Sequence, residues 1–385
     1  MTLVFKNLFR HRLRTMLTVL GIATAVMAFG LIRTIVDAWN AGVTGAATNR
    51  MITRQRVSLI FPVPLTYRNE IAKVPGVTGV SWANWFGGVY GDPNDFKNFW
   101  PRFAVDPDTY FDLYPEFQVP PDQLATFKKE RNACIIGHKL AQQHGFKLGD
   151  VITMEGDIYP GTWQWVVRGI YTGRDPSTDE TQMFFQYPYL FEQVRAREPG
   201  RPVDPNLFVL RIGSPDAMAS VAKAVDNLFE NSRAPTKTES EKEFQQSFVQ
   251  MSSAIITSLR VISVVIVGII LLVLANTIVM SVRERTREYA VLKTLGFSGG
   301  RLAALIVGEG LVISLAGGLL GLLLTFPIVR GFAKALPTFF PVINVEPLTI
   351  ALGLGAAALA GLVAAAIPAN RVVRTPIVLG LRTVG

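Results

Sequence analysis

The chain of 385 residues is 49% hydrophobic, 10% aromatic and 17% charged. One large water-soluble body would carry about 25% charged residues, and a disordered chain would be far less hydrophobic. The formal charge of +9 is unevenly placed: residues 37–254 hold 22 Lys+Arg against 25 Asp+Glu, and the remainder 16 against 4. Cations beside apolar segments report membrane orientation, whereas a nucleic-acid binder gathers them on one folded face, so no nucleic acid is expected as a partner.

In chain order, Phe5, Leu8, Phe9 and Leu13 oppose Lys6, Arg10 and Arg14 at helical spacing, which predicts an amphipathic cytoplasmic helix over residues 1–15. Residues 16–36 follow, uncharged from Leu17 to Ile32 and long enough to cross the hydrocarbon. They read as an uncleaved anchor, because the stretch is slightly long for a signal peptide and an anchor makes the span count even.

Residues 37–253 read as a mixed α+β domain with roughly 110–200 inserted as a subdomain. Strands are expected at 56–63, 134–137, 151–155, 163–169 and 206–212, with extended chain at 77–89. Helices are expected at 67–73, 139–144 and 217–229, the last opened by Ser214. Cys134 is the only cysteine, so an intrachain disulfide and a CxxC pair are excluded. His138 and His144 lie off one helical face, and residues 37–253 contain neither HExxH nor GxSxG, so no metal site and no catalytic residue is expected there. Trp82, Trp85, Phe86, Tyr90, Phe96, Phe99 and Trp100 form either core or an apolar-substrate surface, and aromatics in such a domain favour core.

Three further spans are expected at 254–282, 302–329 and 347–370. Arg283, Arg285, Arg287, Lys293 and Arg301 lie in the loop 283–301, and Arg371, Arg374 and Arg382 in the tail 371–385; the loop 330–346 has only Arg330 and Lys334. The positive flanks place both termini and the 283–301 loop in the cytoplasm and residues 37–253 outside. Arg33 and Arg260 sit where their side chains can snorkel to lipid headgroups. Glu309 admits a proton-relay reading or a bland one, an interfacial acid paired with a nearby cation; the second is favoured because no other membrane acid exists to form a relay. Gly21 and Ala25, Gly317 and Gly321, and Gly353, Ala357 and Gly361 recur at four-residue spacing, suiting intramembrane packing or dimerisation.

The loop after the second span is the most informative segment. Tyr289, Leu292 and Leu295, with Val291, make one face, surrounded by Arg287, Glu288 and Lys293. Gly296 supplies a left-handed helix end and Ser298 caps the next helix. Such a helix either anchors at the interface or offers a platform to a partner.

The run Arg285-Thr286-Arg287-Glu288-Tyr289-Ala290-Val291-Leu292-Lys293-Thr294-Leu295-Gly296, followed by Glu309 and Gly317-Gly318-Leu319-Leu320-Gly321, resembles the MacB/FtsX-type permeases of ABC transporters. Leu13-Arg14-Thr15-Met16-Leu17-Thr18, Ile136-Gly137, Leu140-Ala141, Leu148-Gly149-Asp150 and Ile367-Pro368-Ala369-Asn370-Arg371 extend the resemblance over the chain. The tail Leu379-Gly380-Leu381-Arg382 departs from the alanine-leucine-arginine ending usual in the family.

The resemblance implies an α-helical membrane protein with four transmembrane helices and a large α+β extracytoplasmic domain inserted between helices 1 and 2. It implies a multi-pass inner-membrane permease that forms a homodimer or pairs with a paralogous permease, among membrane lipids, and docks on two ABC ATPase subunits. Arg285, Arg287, Glu288, Tyr289, Val291, Leu292, Lys293, Leu295 and Gly296 would form the ATPase-coupling helix, with Glu309 as a membrane acid beside it. A periplasmic adaptor is a further expected partner. The chain has no GxxxxGK[ST] phosphate loop, so ATP would be bound by the partner ATPase and no cofactor by this chain. Its work would be mechanotransmission, for export or for lipid/lipoprotein release. The alternative is an FtsX-like signalling protein that activates an extracytoplasmic partner such as a cell-wall hydrolase; the long external segment ranks it second.

Overall fold

The computed structural model describes residues 12–251, 253–335, 343–374 and 376. Of the helix expected over residues 1–15, residues 1–11 lie outside the described residues, as does the Leu379–Arg382 motif, and residues 12–15 are the first turn of the helix Arg12–Gly45. The chain divides into two compact units: Met1–Asp37, Ser253–Phe332 and Ile343–Gly385 form a helical unit, and Ala38–Ser252 with Ala333–Val342 form an α/β unit.

Among the described residues, the helical unit contains four helices long and apolar enough to cross a membrane, with candidate spans Arg12–Ala38, Ser253–Glu284, Gly299–Ala333 and Pro347–Arg374. Helix is the conformation that satisfies every backbone N–H and C=O without water. Their shared core joins Ile22 and Val26 of the first helix to Ile270, Leu274 and Ile278 of the second, Ile306, Ile313 and Leu322 of the third, and Ala357, Ala364 and Ala365 of the fourth. The small residues serve packing inside one chain. A Cβ on Gly317 would meet Ile22 at 2.7 Å, and one on Gly321 would meet the Ala23 carbonyl at 2.5 Å. A Cβ on Gly361 would collide with Ser314 of the third helix. These close backbone approaches are what small residues permit in membrane helices.

The α/β unit is built on eleven strands among the described residues: β1 (Arg50–Gln55), β2 (Val77–Trp85), β3 (Gly88–Val89), β4 (Arg102–Val105), β5 (Phe117–Gln118), β6 (Ala133–Gly137), β7 (Val151–Gly156), β8 (Gly161–Gly173), β9 (Met183–Gln186), β10 (Leu207–Ile212) and β11 (Thr236–Ser240). They form one sheet in the order β11-β1-β10-β2-β4-β9-β6-β8-β7-β3, with β5 attached to β8. Pairing is antiparallel except at β4–β9 and β6–β8. Residues 106–182 therefore leave from β4 and return beside it through β9. The capped helix after Ser214 is present as Met218–Leu228, preceded by a short 3-10 turn at Pro215–Ala217.

One expected strand is displaced. Residues 56–63 form a loop, and the strand is Arg50–Gln55, paired on both sides. Pro62 lacks an N–H for a ladder, whereas Met51 and Thr53 are buried and Thr53 Oγ1 meets Thr238 Oγ1 at 2.9 Å across β11.

The aromatic cluster is mainly core. Phe86 and Trp100 are fully buried, and Phe86 packs edge-on against Trp163, Trp165 and Phe185. Trp82 packs on Tyr187, Trp85 on Phe103, and Tyr90 on Trp100. Phe99 is exposed, and the Phe96 side chain lies outside those described.

Candidate functional site

The loop expected to meet a partner folds as the helix Thr286–Thr294, between the span helices Ser253–Glu284 and Gly299–Ala335. Gly296 ends it at φ +92°, the left-handed conformation that costs glycine least. The Phe297 N–H returns to the Leu292 carbonyl at 3.0 Å, closing the last turn. Ser298 begins the next helix: its carbonyl accepts from Arg301 N at 3.0 Å and Leu302 N at 3.2 Å.

The short helix presents two different faces. Tyr289 and Ala290 are buried and Leu292 is half-buried against the span core. Arg287, Glu288, Val291 and Leu295 are exposed, Leu295 at 72%. The sequence grouped Tyr289 with Leu292 and Leu295 on one apolar face; the structure turns Tyr289 inward and Leu295 outward. Three-residue spacing advances about 300° around a helix of 3.6 residues per turn, so residues six apart diverge.

Polar contacts fasten this helix to the spans. Arg285, buried at its N-terminal edge, donates through Nη1 to Glu309 Oε2 at 3.0 Å, and Ser281 Oγ donates to Glu309 Oε1 at 3.1 Å. Glu309 is thus an acid paired with a cation of the adjoining loop. Burial pushes the Tyr289 phenol pKa up, and the Glu309 carboxylate adds to the shift. Lys293 Nζ donates to the carbonyls of Val372 at 2.7 Å and Val373 at 3.1 Å, near the end of the fourth span, where a cation complements the helix dipole.

A contact that sequence reasoning missed extends this network. Arg14 makes a bidentate pair with Glu284, both bonds 2.7 Å, linking the first and second span helices. Glu284 is an acid among the cations of its flank, and that oddity was the available signal. A small pocket lies between Arg14, Thr277, Ser281, Arg285 and Glu309.

Among the described residues no group of His, Cys, Asp and Glu is placed to hold a metal. His138 Nε2 is 2.8 Å from Gln142 Nε2, and His144 stacks on Phe146. Cys134 is buried, which pushes its thiol pKa up.

A family model for the MacB-like periplasmic core domain matches residues 15–228, and one for the FtsX-like permease C-terminal region matches residues 260–377. An ABC transporter permease of Methanocaldococcus jannaschii is 22% identical over 346 residues, covering 84% of this chain and 82% of that one. Among solved structures, the periplasmic region of MacB from Actinobacillus actinomycetemcomitans is 14% identical, with a TM-score of 0.37, over 54% of this chain and 95% of that one. The extracellular domain of the ABC-type transporter YknZ from Gram-positive bacteria is 16% identical, with a TM-score of 0.36, over 50% of this chain and all of that one. With family models matched on both sides of the second span's start, the chain belongs to the MacB/FtsX-type family of ABC transporter permeases.

Proposed function

We propose that this chain is the non-catalytic permease subunit that couples ATP hydrolysis by a separate ABC ATPase to movement of its α/β unit, for export or for lipid/lipoprotein release. The observation that carries the reading is the helix Thr286–Thr294, exposed along Arg287, Glu288 and Val291 and fastened to the third and fourth spans through Arg285–Glu309 and Lys293–Val372. A helix held at several points passes a push to the spans instead of absorbing it. In this reading ATP is bound by the partner, the permease works as a homodimer or with a paralogous permease, a periplasmic adaptor can join, and both termini lie in the cytoplasm at the inner membrane.

The double variant Glu288→Lys/Leu295→Glu tests the docking face, because both residues are exposed and neither lies in the buried core. It should insert and melt like the parent chain while retaining at least about tenfold less ATPase after mild detergent extraction, equivalent to about 1.4 kcal/mol. Unchanged ATPase retention refutes the assignment. Mass spectrometry of the parent complex separates the branches: a periplasmic adaptor supports export, and a wall hydrolase supports signalling.

A further inference from the structure

The α/β unit contains a buried charged junction that joins three distant parts of the chain. Arg50 opens β1, just after the helix Arg12–Gly45, and is 3% exposed. Its Nε donates to Glu241 Oε2 at 2.9 Å, and its Nη2 reaches the same oxygen at 2.8 Å. Its two terminal nitrogens also hold Glu116 in a bidentate grip, at 2.5 Å and 3.2 Å, and Nη1 donates to the Leu113 carbonyl at 2.7 Å. The guanidinium lies 3.8 Å over the Tyr114 ring. Glu241 accepts in addition from the backbone N–H of Ala47 at 3.0 Å.

These partners come from different places. Ala47 and Arg50 follow the first span in the chain. Glu241 opens the helix Glu241–Met251, which leads to the second span. Leu113, Tyr114 and Glu116 belong to the 106–182 segment inserted between β4 and β9. Burial alone would lower the Arg50 pKa, yet Tyr114, Glu116 and Glu241 together raise it above its ordinary value. A planar, permanently charged fork can grip one carboxylate bidentately while its other donors reach a second carboxylate and a carbonyl, a geometry that the point charge of a lysine does not match.

We propose that Arg50 is the positioning residue that makes the two membrane-connected segments and the inserted segment move as one body, so that displacement of the spans reaches residues 106–182 undiminished. This rests on the ATPase-coupled reading above and adds to it the place in the external unit where motion is handed on. β1 and β11 are already paired by their ladder; what Arg50 adds is the side-chain tie to Leu113 and Glu116.

The test uses the full permease–ATPase complex with spin labels on Thr48→Cys and Asp122→Cys, both exposed positions. Native Cys134 is buried and takes no label. With Arg50 intact, the Thr48–Asp122 distance should be a single narrow distribution, identical without nucleotide and with ATP and vanadate. Arg50→Met, and Glu116→Gln, which cuts only the tie to the inserted segment, should lose that single distribution and acquire a dependence on nucleotide. ATPase retention and hydrolysis should be unchanged, a pattern that general destabilisation would not give. If Arg50→Met fails to fold, Glu116→Gln decides. Distances that stay narrow and nucleotide-independent in the variants, while the complex hydrolyses ATP, overturn the role of Arg50 and leave the coupled reading standing. A parent chain that carries no ATPase overturns the coupled reading itself.

Discussion

Glu309 shows what one residue does when its partner is fixed. Its carboxylate and the Arg285 guanidinium are both nearly buried, at 12% and 6% side-chain exposure. Replacing both with apolar groups is tolerable, whereas removing one leaves a buried charge alone, at about 3–5 kcal/mol. Arg285→Met should therefore lower the melting temperature of the detergent-solubilised protein strongly, and Arg285→Met/Glu309→Met should recover most of the loss. Equal melting of the single and double variants would show that the pair contributes no coupling. The sequence made this pair legible only in part: it marked Glu309 as an acid needing a cation and placed five cations in the neighbouring loop, but residues 24 apart are matched by the turn between helices and not by periodicity. The Arg50 junction was less legible still, because Arg50, Glu116 and Glu241 meet only after the sheet has formed.

At the scale of elements, the membrane spans were the most readable part, since hydrophobic length alone decides them. The small-residue stripe was legible as close packing but not as to its partner; the structure places Gly317 and Gly321 of the third helix against Val19, Ile22 and Ala23 of the first. Gly321→Leu should drive a side chain into the Ala23 backbone and cost about 1–3 kcal/mol, read as a fall in melting temperature and membrane yield. Gly331→Leu, in the same helix but with nothing within 4 Å of a Cβ, should behave like the parent. Similar behaviour of the two variants would show that the approach is not tight. Strands were harder to read. β1 carries Arg50 and Arg54, which hid it, and the apolar residues of 56–63 drew the expectation past the sheet into the loop. The helix Glu241–Met251 had a signature that was overlooked: Ser240 and Glu243 cap reciprocally, Glu243 N to Ser240 Oγ at 3.2 Å and Ser240 N to Glu243 Oε2 at 2.9 Å.

For the molecule as a whole, acidity should weaken the α/β unit before it affects the carboxylates. His144 stands among Tyr90, Trp100 and Phe146 and donates through Nε2 to the Lys97 carbonyl at 2.9 Å. Burial lowers its pKa below 6.5. The unfolded chain then binds the proton more readily than the folded one, so stability is complete above the unfolded value and declines as pH falls through it. Thermal melting of the full protein should show the α/β transition move down between roughly pH 7.5 and roughly pH 5.5, and His144→Gln should flatten that dependence. An undiminished slope in His144→Gln would assign the effect to other groups. The order of strands at the sheet edge has a consequence for how the molecule bears tension. β1 and β11 run antiparallel with Met51 opposite Ser240 and Gln55 opposite Thr236, so the chain enters and leaves the sheet at the same end of one ladder. Drawing those two entries apart would open the ladder like a zipper, each hydrogen-bond pair in turn, instead of shearing all of them together. The Arg50–Glu241 contact sits at the first tooth, where such an opening would have to begin.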